Sequence, residues 1–195
     1  ERLHSLGLFA ERIPSKQPVA SPHDPSRSLE DRARSYLALN CSTCHRPQGG
    51  GTANFNFDLT NTLEDNNYID APPAQGTFGI EQARVVAPGD PYRSVLLYRA
   101  LKSGRGHMPQ FGSSVIDHEG IRLLCHWIGS MDTPSSDSVG SPADIDPTHE
   151  IRSLVKLAPD AQTETIQRRL SSPTAAMSLS LACADESVDK DLRDR

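Results

Sequence analysis

Two thiols and an imidazole fall within five consecutive residues, Cys41-Ser42-Thr43-Cys44-His45. Cysteines three apart on a turn can each add across one vinyl group of a haem, at adjacent pyrrole edges. A histidine directly after the second thiol then lies over the iron, where imidazole is a strong axial ligand. The spacing therefore predicts one covalently attached haem c, held by Cys41 and Cys44, with His45 as an iron ligand. Two other chemistries use paired cysteines. A zinc site would recruit Cys125 and His126 as its second pair, but neighbours on a helix diverge by ~100° and converge poorly on one tetrahedral ion. A redox dithiol of the thioredoxin type would follow a buried strand, whereas the segment before Cys41 reads as a helix with a polar face.

That helix is expected from Ser28 to Asn40. Ser28 is an N-cap residue, Glu30 and Asp31 suit the positive end of the helix dipole, and Leu29, Ala33, Tyr36 and Leu37 share one face. Residues 46–90 read as loop, punctuated by Gly49-Gly50-Gly51, Pro72-Pro73 and Pro88-Gly89-Asp90-Pro91, and so long a loop implies that it wraps something. A second helix is expected over 91–102, opened by Pro91 and carrying Val95, Leu96 and Tyr98. Ser103-Gly104-Arg105-Gly106 breaks it, and His107-Met108-Pro109 follows in a turn. A third is expected over 118–130, capped by Asp117, with Ile121, Leu124, Cys125 and Ile128 on its apolar face and Trp127 alongside. Residues 1–27 read as a tether, with Leu3, Leu6, Leu8 and Phe9 forming a short amphipathic start before Pro14, Pro18, Pro22 and Pro25. Residues 132–149 read as a linker, 150–183 as a helical extension with elements near 160–170 and 173–183, and 184–195 as a charged, frayed tail.

The helix patterns make the expected fold mainly α, and the bulk numbers suit a loop-rich domain whose centre is filled by something other than aromatic side chains. The chain has 195 residues, 36% hydrophobic and only 5% aromatic, with 15 prolines and 13 glycines. A formal charge of −5 gives no basic stripe for nucleic acid or a membrane surface, and at most a weak bias toward basic partners. No apolar run approaches the ~18 residues of a membrane span. The chain opens on Glu1 with no leader pattern, so the expectation is a processed end or an excised fragment. Cys125 and Cys183 could close a disulfide in an oxidising compartment, or stand as a helix-packing residue and a free thiol; spacing alone does not choose between them.

Residues 28–131 resemble the class I c-type cytochromes. That family joins an N-terminal helix, the C-x-x-C-H motif, a loop around the haem, a Met-Pro pair and a C-terminal helix crossing the first, and these parts occur here in that order. Ala33 and Leu37 stand eight and four residues before Cys41, where the family places a small and a bulky apolar residue, and Trp127 takes the place of its crossing aromatic. More narrowly, ARSYLALNCSTCHRPQGGG and ARVVAPGDPYRSVLLYRALKSGRGHMPQFGS look like cytochrome domains joined to larger exported bacterial proteins, some with sugar-dehydrogenase-type propellers.

The resemblance implies a class I cytochrome c fold with a short helical extension, a periplasmic or otherwise exported setting, and Met108, presented by Pro109, as sixth ligand opposite His45. His107 is the nearest competitor for that position. His118 and His126 are expected as surface or helix-packing residues, and His4, His23 and His149 as tether residues without a site. In the family a proline carbonyl after the motif orients the axial histidine through its other ring nitrogen. Here Asn56-Phe57-Asp58-Leu59 occupies that region without the proline, so a carbonyl near Phe57 is expected to substitute. Phe57, Leu59, Val95, Leu96 and Phe111 are expected in the apolar haem wall, and Arg84 and Arg105 near the propionates. The implied function is one-electron transfer from a fused or separate dehydrogenase-type donor to a soluble acceptor, with no catalytic site apparent in the chain itself. The alternative is a haem-based sensor or peroxidase-like domain with an open sixth position.

Overall fold

The structure, a computed structural model, describes residues 2–8, 19–63, 65, 67–132 and 147–184. Phe9, Pro14, Pro18, most of the expected linker and nearly all of the expected tail lie outside the described residues. The regular elements within them are helical: α1 (Arg2–Ser5), α2 (Leu29–Cys41), a 3-10 turn (Pro91–Arg93), α3 (Val95–Leu101), α4 (His118–Gly129), α5 (Pro147–Leu154), α6 (Pro159–Leu170) and α7 (Pro173–Cys183). Extended pairing is confined to isolated parallel bridges, Ile69 with Val86 and Arg84 with Ser94. The protein is mainly α, as expected.

α2 begins where its cap predicts. The Ser28 hydroxyl accepts the Asp31 amide at 3.0 Å, satisfying one of the N–H groups a helix start leaves open. The helix runs one residue past Asn40 and ends on Cys41 itself. Ala33 and Leu37 are buried and pack with Ile121, Leu124, Trp127 and Ile128 of α4 in one cluster. α4 is capped by the Asp117 carboxylate, which accepts the Gly120 amide at 3.0 Å.

The α2–α4 contact is closest at Gly120. A methyl group there would collide with the ring of Tyr36, whose hydroxyl is pushed above its usual pKa by burial and then by the neighbouring Asp117 carboxylate. Gly120→Ala should therefore destabilise the protein by about 1–3 kcal/mol through overpacking, despite alanine's better helix propensity. Urea unfolding of the purified chain measures this, and a wild-type midpoint would show that the two helices can part without cost.

The helix expected over 91–102 is divided. The Asp90 carboxylate accepts the amides of Tyr92 and Arg93 at 3.1 and 3.3 Å and winds only a 3-10 turn. Ser94 then turns extended, its hydroxyl buried where it accepts the Ala87 amide at 3.0 Å, and α3 starts at Val95. Satisfying that buried amide outweighs one more turn of helix. The 46–90 loop folds back on itself: Val85 donates to Ala71 at 2.7 Å and Asp70 to Val86 at 2.9 Å, burying Tyr68 and Val86.

Both ends of the chain are more involved than their composition suggests. Arg32 donates through Nε to the Pro22 carbonyl at 2.7 Å, and His23 bonds Glu119 at 3.0 Å, so the last part of the expected tether lies across α2 and α4. His23 thus has a partner, though both side chains of the pair are exposed. Leu6 and Leu8, by contrast, are exposed. α5 starts inside the expected 132–149 linker. α7 is apolar on every side: Met177 and Leu181 join the main core, while Leu179 and Ala182 pack with Ile151 and Leu154 of α5. Arg122 of α4 closes this end by donating to the Ala184 carbonyl at 2.9 Å. Cys125 and Cys183 are separate thiols; Cys125 is half-buried on α4, and burial, then Asp90, pushes its pKa up to about 11.

Candidate functional site

The turn from Cys41 to His45 continues the winding of α2. The amides of Cys44 and His45 both donate to the Cys41 carbonyl, at 3.2 and 2.9 Å. Residues three and four apart on such a turn share a face, which brings Cys41, Cys44 and His45 together. Cys41 is packed against the core, and burial, then the nearby Cys44, pushes its thiol up to about 12. Cys44 is exposed.

The Gly49-Gly50-Gly51 run folds beneath this turn. Gly51 donates to the Cys44 carbonyl at 2.9 Å. A methyl group at Gly49 would collide with the Cys44 carbonyl, and one at Gly51 would sit 2.9 Å from Nδ1 of His45. Glycine is what permits this approach. On its other side the imidazole stacks on Phe55, with centroids 4.6 Å apart and planes 19° apart, and meets Phe57 edge-on at 5.8 Å.

The expected orienting bond is not formed. Phe57 instead donates its amide to the His45 backbone carbonyl at 2.9 Å, and Nδ1 of His45 is buried without a hydrogen-bond partner. The cause is the glycine turn: Nδ1 faces Gly51, not a carbonyl near Phe57. Ring packing therefore orients the imidazole in place of a hydrogen bond. Burial, and then the charge of Arg99, lower the pKa of His45 and favour neutral imidazole, the form that ligates a metal.

Arg99 of α3, which the sequence reading did not single out, links the two halves of the site. Its carbonyl accepts the Met108 amide at 3.0 Å, and its guanidinium donates to the Gly106 carbonyl at 3.1 Å while lying 4.6 Å over the Phe78 ring. A single arginine thus touches the Met108 loop and acts electrostatically on His45. A cation amid the apolar positions of α3 was the available signal. Phe55 was also missed, although it stands two residues before Phe57.

The remaining expected residues divide. Met108 and Pro109 are half-buried, and the peptide bond between them is cis. His107 does not compete as a ligand: its Nδ1 bonds the Lys102 carbonyl at 2.7 Å and its Nε2 the Ser113 hydroxyl at 2.9 Å. Phe57 and Val95 are buried and Leu96 half-buried, all in the main core. Leu59 lies half-buried beside a surface cleft shared with Glu30, Arg34 and Leu63. Phe111 is 83% exposed and forms no wall, because the 107–113 loop turns its tip outward. Arg84 is engaged by Asp70 at 2.9 Å, so it is not poised for a propionate; Arg105 is exposed. His118 has its Nδ1 buried without a partner and His126 is exposed. Among the described residues, no three His, Cys, Asp or Glu side chains gather where they could hold a metal ion.

The residues present could hold haem c. Two adjacent thiols offer the thioether bonds, a neutral imidazole follows directly, and the glycine run leaves the ring the space it needs. Comparison with models of protein families, with curated proteins and with solved structures returns no match.

Proposed function

We propose that this chain is a mono-haem c-type cytochrome domain of the class I type, passing single electrons from a dehydrogenase-type donor to a downstream acceptor in an exported setting. The observation that carries the reading is the single turn, closed by the Cys44 and His45 amides on the Cys41 carbonyl, that holds Cys41, Cys44 and His45 against the glycine run. α2 and α4 are the packed N- and C-terminal helices of that fold, and the 46–90 loop is its wrapping segment. Bound haem supplies a one-electron couple.

The chain's own residues do the rest. Cys41 and Cys44 would anchor the group, and His45, oriented by its packing on Phe55 and against Gly51, would present its imidazole to it. Met108 would offer a thioether as a second iron ligand, the place a sensor or peroxidase leaves open. Burial, and then the charge of Arg99, favour the neutral form of the imidazole. From Pro91 to Ile116 the chain carries Arg93, Arg99, Lys102 and Arg105 and no acidic side chain. Arg93 is paired with Asp90 at 3.0 Å and Arg99 with the Gly106 carbonyl, so these charges are largely used within the chain. No helix among the described residues is long and apolar enough to cross a membrane.

The chain produced with a haem-attachment system should give a c-type pyridine haemochrome spectrum and an intact mass raised by one haem. A mass equal to the bare chain would end the proposal.

A further inference from the structure

The loop that carries Met108 is poor in intrinsic order. Gly104, Gly106 and Gly112 all adopt positive φ, at 70°, 87° and 72°, so the backbone between α3 and α4 has many conformations open to it. Side chains nevertheless close it: Arg99 and Lys102 donate to the Gly106 and Arg105 carbonyls on the near side of Met108, and one residue bridges to the far side. His107 spans it, donating from Nδ1 to the carbonyl of Lys102, the residue that ends α3. Its Nε2 meets the Ser113 hydroxyl at 2.9 Å on the far side. The same hydroxyl also lies against the Pro109 carbonyl, so its one proton serves either that oxygen or Nε2. With the Met108 amide donating to Arg99, the main chain is pinned on both sides of Met108.

Resting on the cytochrome reading above, we infer that His107 and Ser113 form a positioning clasp that sets how firmly Met108 holds the sixth coordination place. Neither residue is a ligand. A methionine thioether is a weak, neutral donor on a long flexible stem, so its hold on iron depends on how little its backbone can retreat. The His107–Ser113 link joins the end of α3 to the far side of the loop and removes that retreat. Opening it restores loop freedom, and an exogenous ligand then competes for the place Met108 vacates.

The test uses the full haem-loaded chain as wild type, Ser113→Ala, Ser113→Thr and His107→Ala. It reads covalent haem by pyridine haemochrome, the red-region methionine-to-iron charge-transfer band of the oxidised protein, and the rate of carbon monoxide binding to the reduced protein. Both alanine variants should keep covalent haem, weaken the band and bind carbon monoxide about fivefold to tenfold faster, the factor that losing one net hydrogen bond allows. Ser113→Thr, which keeps the hydroxyl, should restore wild-type behaviour; a merely structural role would not require that rescue. Wild-type band and rate in both alanine variants would overturn the clasp and leave the cytochrome reading standing. A wild-type chain with covalent haem but no methionine band would overturn the clasp and Met108 ligation together. A wild-type chain without covalent haem would overturn the whole assignment.

Discussion

Replacing Cys41 and Cys44 together by serine is expected to leave the chain without covalent haem and without a cooperatively folded domain. The chemistry alone predicts the first effect, since a hydroxyl does not form the thioether. The second follows from where the two thiols sit. Cys41 is the last residue of α2 and packs against the core that α2 shares with α4. Serine there places a hydroxyl in a site so shielded from water that the native thiol is pushed up to about 12. Phe55, Phe78, Leu96 and Tyr98 around the site are only partly buried by the protein itself, so the haem is expected to complete their burial. Domains of this size have a margin of only ~5–15 kcal/mol, and losing the central group removes most of it. The single variants should differ: Cys44 is exposed, so Cys44→Ser should retain more structure than Cys41→Ser. Intact mass and thermal unfolding by circular dichroism measure both effects. A double variant with wild-type cooperative melting would show that haem contributes little to the core.

How much of this was legible in the sequence depended on how local each cause was. α2 and α4 were legible to within a residue because their signals are local: a capping Ser28 or Asp117, then apolar residues at helical spacing. The division at Ser94 was not, because it depends on the amide of Ala87, which no propensity reports. α7 was visible as a helix, but its role was hidden. A segment apolar on all sides shows no preferred face, so sequence could not say that it lies between the main core and α5. The site shows the same contrast. The expectation of attachment through Cys41 and Cys44, with His45 beside them, comes from five adjacent residues. The orientation of His45 is set by Gly51 and Phe55, brought back by the loop, and periodicity has no access to such an approach. Phe55 and Phe111 are the same residue type in similar loops; one stacks on the imidazole and the other stands in solvent. Only the closure of the 107–113 loop by His107 tells them apart.

Met108→Ala is expected to keep covalent haem and the fold while lowering the reduction potential and opening the iron to carbon monoxide. Met108 lies outside the attachment motif and is half-buried, so removing its side chain should cost less stability than the Cys41 substitution. Its main-chain amide would still donate to Arg99, and His107 would still close the loop. What disappears is the thioether alone. A Met/His pair favours the reduced iron and raises the potential; water or a vacant place in its stead favours the oxidised state. Axial ligation spans ~0.8 V across haem proteins, so a fall on the order of a hundred millivolts or more is expected from this single change. Because His107 already has both ring nitrogens engaged, it should not step in as a replacement. A potentiometric titration with a carbon monoxide difference spectrum decides the point. An unchanged potential and spectrum would remove Met108 from the iron. A low-spin spectrum of bis-imidazole type would instead show that His107 leaves Lys102 and Ser113 when the thioether is gone, which makes those two bonds weaker than their geometry implies.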